Sequence, residues 1–296
     1  MRVFVIGSEG QVARSLCEAA ANDPAVTLQA GARPDIDLMR PASIARAISA
    51  FRPDIVINPA AYTAVDKAES ESDLAFSINR DGARAVAAAA EAVGAPIVHL
   101  STDYVFNGRK ATSYGEDDPA EPMGVYGRSK WEGELAVAAA NSRHLILRTS
   151  WVYAPFGTNF VRTMLRLAAE RDRLRVVDDQ IGCPTYAPDI AGAILSISRK
   201  IVTDGWNLQF KGVTHLAGHE AVTWYELARR IMQGNSARGG RAVPVDPINT
   251  NDYPTAASRP ANSRLSTERL QSVFGIRLPD LEHSLGACLD RLIANR

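Results

Sequence analysis

The sequence predicts an α/β protein: a doubly wound parallel sheet with a smaller, partly interwoven C-terminal domain. Three observations lead there. The chain opens as strand, glycine-rich turn, helix. Apolar runs of strand length then alternate with helical patterns as far as residue 148. Beyond that point the alternation fades into shorter, mixed segments.

The first strand is the run Arg2-Val3-Phe4-Val5-Ile6. It leads into Gly7-Ser8-Glu9-Gly10-Gln11-Val12-Ala13, and Val12, Leu16, Ala19 and Ala20 follow at helical spacing. This order aims backbone N–H groups and the positive end of a helix at a pyrophosphate, as in Rossmann-type folds. Gly7 allows the tight turn and Gly10 the close approach of phosphates. Ala13 is small enough for the helix to pack on the sheet. The second strand is expected at 26–30. Gly31-Ala32-Arg33 and Asp35-Ile36-Asp37-Leu38 come just after it, and no acidic residue closes the strand where NAD-specific folds hold the ribose diol. Arg33 suits a 2′-phosphate, so NADPH is the expected cofactor and NADH the alternative. Asp37 and Leu38 are then expected near the adenine.

Further strands are expected at 55–58, 97–101 and 144–148, with helices near 41–50, 72–93 and 126–140. The alanine-rich run 83–92 is a good helix former with small side chains for close packing. Apolar strands alternating with helices mean a parallel sheet covered on both faces. Residues 1–150 are expected to form the dinucleotide-binding domain. Residues 151–296 are expected to be mainly a substrate-binding domain, with some segments returning to the first. In that half, helices are expected at 159–170, 189–200, 223–232 (capped by Thr223), 265–274 and 281–293. A strand-like run lies at 174–177, with loops at 178–188 and 243–262.

Composition excludes several partners. With 33 basic and 33 acidic residues the formal net charge is zero, which argues against nucleic acid or an anionic membrane surface. Cys17, Cys183 and Cys288 are odd in number and far apart, without disulfide or zinc spacing, so a reducing cytoplasm is expected. No n-region, h-region or long apolar span is present, and neither export nor membrane insertion is expected.

The chemistry rests on two motifs. Tyr126-Gly127-Arg128-Ser129-Lys130 places a phenol and an ammonium four residues apart, on one helix face. A cation there is expected to pull the phenol's pKa down from about 10 toward neutrality. Ser101-Thr102-Asp103-Tyr104-Val105-Phe106 ends the fourth strand, and the Thr102 hydroxyl is a candidate donor to a substrate carbonyl. With a hydride donor these groups suit carbonyl reduction, Tyr126 supplying the proton and Lys130 also reaching the nicotinamide ribose. Asp103 is a candidate substrate contact or a turn residue.

Several blocks, in order and at matching spacing, carry a resemblance over nearly the whole chain. They are Gly7–Ala13, the segment Asn58-Pro59-Ala60-Ala61-Tyr62-Thr63-Ala64-Val65-Asp66-Lys67-Ala68-Glu69, Asn79, Ser101–Phe106 and Val125–Lys130. Later in the chain come Arg148-Thr149-Ser150-Trp151-Val152-Tyr153, Asp179-Gln180-Ile181-Gly182-Cys183-Pro184-Thr185 and Arg259-Pro260-Ala261-Asn262-Ser263-Arg264-Leu265. The chain resembles the extended short-chain dehydrogenase/reductases. The resemblance implies reduction by NAD(P)H of the 4-keto group of dTDP-4-dehydro-β-L-rhamnose to dTDP-L-rhamnose, a step of polysaccharide supply. It implies that Gly10, Gln11 and Val12 hold the pyrophosphate, that Asp37 and Leu38 bracket the adenosine, and that Ala61, Tyr62, Thr63 and Leu100 line the cofactor. Thr102, Asp103, Tyr126 and Trp151 would meet the nucleotide sugar, with Trp151 capping a sugar ring or forming interdomain core.

Two departures stand out. Relatives that dimerise through magnesium use carboxylates, one of them early in the first helix; Ser15 stands there, and Asp189 alone is a poor site. No structural metal is therefore expected, and the chain is expected to be a monomer or a homodimer. Pro59 removes one N–H from the turn after the third strand. Rival readings are a sugar-nucleotide dehydratase or epimerase of the same fold, and a non-catalytic dinucleotide-binding subunit resembling the methionine adenosyltransferase regulator. Against the dehydratase, Asp103 is followed by Tyr104, not by a glutamate.

Overall fold

The computed structural model describes residues 1–294. Its first half runs β1 (Arg2–Ile6), α1 (Gln11–Ala21), β2 (Thr27–Gly31), α2 (Pro41–Phe51), β3 (Ile55–Asn58), α3 (Val65–Ala68), α4 (Ser72–Phe76), α5 (Ala83–Ala92), β4 (Ile97–Thr102), α6 (Val125–Ala140) and β5 (His144–Thr149). These five strands and Gly212–His215 form one parallel sheet, in the order β2-β1-β3-β4-β5 with Gly212–His215 outermost. The strand order reverses between β1 and β3, so a crevice opens at their carboxyl ends, where ligands of such sheets sit.

The period-two pattern of β1 shows how the sheet is covered. Val3 and Val5 face one layer, with Val12 and Leu16 of α1 and Ile190, Ile194 and Ile197 of helix Ala187–Asp204. Phe4 and Ile6 face the other, with Ile44 and Ile48 of α2 and Val86, Ala87 and Ala90 of α5. A separate core joins Tyr153, Val161 and Leu165 to Leu227, Ile231, Leu285 and Leu289. Helix Trp224–Ser236 starts on a capping box, with Thr223 accepting from the Glu226 N–H and Glu226 accepting from the Thr223 N–H.

Three local expectations need correction. The helix expected over 72–93 contains a π segment, Ser77–Gly82; propensity does not register a one-residue insertion into the ladder. The expected loop 178–188 contains strands Ile181–Gly182 and Thr185–Tyr186, and the next helix begins at Ala187. Each strand has only two residues and exists through distant partners: Ile181–Gly182 lies between Val222–Thr223 and Asn262–Ser263, and Thr185–Tyr186 pairs with Val152–Tyr153. The expected loop 243–262 contains strand Val245–Ile248, parallel to Leu174–Val177. Pro247 is tolerated because this is a two-stranded sheet in which each strand has a free edge.

Candidate active site

The crevice is built from the turns that leave β1, β3 and β4. Gly7 follows β1 with φ +93°, a conformation that favours glycine. Gly10 precedes α1, no side chain caps that helix, and nothing lies within 4 Å of where a Cβ on Gly10 would sit. No side chain takes the first N–H groups of α1, and the approach over Gly10 is open, which fits a pyrophosphate. Gln11 is tied back by its side chain: Asn159 donates to its Oε1 at 2.8 Å, and its own amide reaches the Val152 carbonyl at 3.4 Å. Val12 and Ala13 are buried on the sheet.

Past β2, Arg33 is exposed and makes no ion pair with any described residue. Asp37 accepts from the Met39 N–H at 2.9 Å, and Leu38 lies against Gly82 at the end of the π segment. After β3, Ala61 and Tyr62 are half-buried and Thr63 is exposed. Asn79 holds this turn, accepting from the Tyr62 N–H at 2.8 Å and donating to the Tyr62 carbonyl at 3.1 Å and to Ser129 Oγ at 2.9 Å. It thereby fastens the β3 turn to α6. Asn79 was one of the resembling positions, but nothing in its neighbourhood of sequence signals that role; the π segment presents it. The Tyr62 ring packs against the cluster of Ala68, Ala75, Val125 and Tyr126, and its hydroxyl donates to Glu71 at 2.6 Å, which pushes its pKa up to about 12.

Tyr126 and Lys130 share one face of α6, and both are buried with Thr102 and Asp103 at the end of β4. Gly127 lets the helix close on that strand end, since a Cβ there would strike the Tyr104 carbonyl. The Lys130 ammonium donates to the Leu100 carbonyl at 2.6 Å, and burial lowers its pKa to about 8. Burial raises the Tyr126 phenol to about 12; a hydrogen bond from the Thr102 hydroxyl opposes that shift, and the Asp103 carboxylate adds to it. The expected pull of Lys130 on the phenol is thus not what sets its pKa. The ammonium is held by a carbonyl, and the hydroxyl neighbour is Thr102. A phenol kept protonated near neutrality is suited to donate.

Asp103 is 2 % exposed. Thr102 Oγ1 donates to its Oδ1 at 3.0 Å, while Oδ2 has no hydrogen-bond partner of good geometry. Burial raises this carboxyl to about 6, against the help of the Ser263 and Thr102 hydroxyls. Behind Lys130, Glu134 and Arg148 form a buried bidentate pair at 2.9 and 2.7 Å. Trp151 stands two residues beyond Thr149, which pairs with Thr102 across β4 and β5. Its indole lies between Trp224 and Gly182, and so has no open face for capping a sugar ring in this conformation. No cluster of three or more His, Cys, Asp or Glu that would hold a metal ion occurs among the described residues. Ser15 donates to the Gln11 carbonyl at 2.8 Å, and Asp189 accepts from Ser284 at 2.5 Å. Among the described residues, no helix is long and apolar enough to cross a membrane.

The model of a family described as the RmlD substrate binding domain matches residues 1–294. A dTDP-4-dehydrorhamnose reductase of Sinorhizobium fredii is 48% identical over 284 residues, covering 96% of this chain and 95% of the relative. Among solved structures, a dTDP-4-dehydrorhamnose reductase of Clostridium acetobutylicum superposes with a TM-score of 0.91 at 34% identity, over 99% of this chain and 100% of the other. One from Bacillus anthracis, in complex with NADP, superposes with a TM-score of 0.89 at 34% identity, over 100% and 99%.

Proposed function

Because the chain belongs to the RmlD substrate-binding-domain family, we propose that it is a cytoplasmic NAD(P)H-dependent oxidoreductase that reduces the 4-keto group of dTDP-4-dehydro-β-L-rhamnose to dTDP-L-rhamnose. The observation that carries this reading is the gathering of Tyr126, Thr102 and Lys130 at the end of β4, beside the uncapped start of α1. The bound nicotinamide supplies the hydride.

This chain's own residues do the rest. The open cradle at Gly10 and the N–H groups of α1 receive the pyrophosphate, and Arg33 meets the 2′-phosphate of NADPH. Tyr126 holds its proton at neutral pH and donates it to the developing alkoxide oxygen. Thr102 donates a second hydrogen bond to that oxygen, and both groups stabilise its charge in a site shielded from water. Lys130, held at the Leu100 carbonyl, keeps a positive charge beside the reacting oxygen and within reach of the nicotinamide ribose.

Purified protein mixed with NADPH and the keto sugar tests the assignment. Loss of nicotinamide absorbance with formation of the 4-hydroxy sugar is the expected result. Tight dinucleotide binding with no turnover of any nucleotide 4-keto sugar would favour the non-catalytic subunit instead.

A further inference from the structure

Trp151 is held in an unusual way. Its φ is +47°, in the left-handed region that a bulky side chain rarely occupies. Such a conformation is strained and persists only where the surroundings over-determine it. Two neighbours do so. The Trp224 ring stacks on the indole with a centroid spacing of 3.4 Å and an interplanar angle of 7°. At that spacing the two rings have almost no lateral offset, although offset pairs are preferred. Phe160 leans on Trp224, with centroids 4.5 Å apart and the rings tilted by 45°, and Trp224 begins its helix behind the Thr223 capping box.

The second neighbour is Gly182. A Cβ built there would fall nearest to Cε2 of Trp151, with Nε1 at 2.6 Å and Cζ2 at 2.7 Å. A point closer to the recessed fusion atom than to both its protruding neighbours sits above the ring, not beside its edge. It must therefore be on the face opposite Trp224. Both faces of Trp151 are taken, and its free surface is its edge. The Nε1–H on that edge has no acceptor among the described residues and is not sealed from solvent.

We propose that Trp224 and Gly182 clamp Trp151 so that it meets the nucleotide sugar edge-on, its indole N–H donating to an acceptor oxygen of the ligand. Trp224 is then a positioning residue for substrate. This rests on the reductase reading for the identity of the ligand.

Trp151→Phe keeps an aromatic face and removes the N–H, so it separates edge from face. The expected result is a KM for the keto sugar raised about tenfold, with the Kd for NADPH within about twofold. Trp224→Ala is expected to raise the same KM and to abolish the far-ultraviolet circular-dichroism couplet of the stacked indoles. Trp224→Phe, which keeps a ring against Trp151, is expected to restore KM to within about threefold. A wild-type KM in Trp151→Phe, or an unchanged or lowered KM in Trp224→Ala, overturns the proposal. Calorimetry of dTDP-L-rhamnose on the NADP⁺ complex reads the contact without turnover. A wild type that binds but does not turn over sinks the reductase reading, and the ratio of Trp151→Phe to wild-type affinity still decides the clamp. A wild type that does neither overturns both.

Discussion

The Thr102 hydroxyl donates its single proton to Asp103 Oδ1 at 3.0 Å, and the same hydroxyl is near enough to the Tyr126 phenol to lower its pKa. The hydroxyl serves one acceptor at a time. Asp103, enclosed with Tyr126, Cys183 and Ser263 around it, therefore carries a poorly compensated charge when ionised.

That charge makes stability depend on pH. The carboxyl is raised from 3.8 to about 6, so the folded chain binds the proton more tightly than the unfolded chain. The protonated form costs nothing below both values, and stability is lost as pH rises from about 4 to about 6. Asp103→Asn removes the penalty. Relative to wild type, its urea stability is expected to improve by roughly 2 kcal/mol between about pH 4.5 and pH 7.5. A gap that stays constant across that range refutes the assignment of the shift.

Tyr126→Phe deletes the phenol proposed as the proton donor and leaves the ring. Turnover of the keto sugar is expected to fall by about 10²–10⁴-fold, while NADPH affinity changes by less than about threefold, since the Lys130 and α1 contacts remain. Stopped-flow reduction alongside a fluorescence titration with NADPH measures both.

Arg33 is an exposed cation without an ion-pair partner among the described residues. Arg33→Ala is expected to raise KM for NADPH about tenfold and to leave KM for NADH within about twofold. Equal losses for both cofactors would mean that Arg33 does not read the 2′-phosphate.

Glu134 and Arg148 are 4% and 5% exposed in their side chains. Glu134→Gln leaves a buried guanidinium without its counter-charge and is expected to destabilise the fold by about 3–5 kcal/mol. Glu134→Leu combined with Arg148→Met is expected to cost clearly less, because no charge is stranded. Thermal unfolding of the three proteins decides it.

Much of this was legible along the chain. Gly7 and Gly10, the apolar runs that became β1, β3, β4 and β5, and the i,i+4 spacing of Tyr126 and Lys130 depend on local backbone preference and on periodicity, which neighbouring residues dictate. The N-cap at Thr223 was legible for the same reason. What the residues do to one another was not. The two-residue strands at 181–182 and 185–186 exist only because distant backbones supply their hydrogen bonds. The phenol's pKa follows from burial and from Thr102 because α6 packs on the end of β4; helical spacing to Lys130 did not decide it. The sequence by itself determined the glycine turn after β1, the alternating layers and the placement of Tyr126 and Lys130 one helical turn apart. Only the tertiary structure decided that Lys130 is held by a carbonyl and that Trp151 is covered on both faces. Dielectric and ring contact are set by whatever else arrives in the same space, and residues far apart in the chain deliver that.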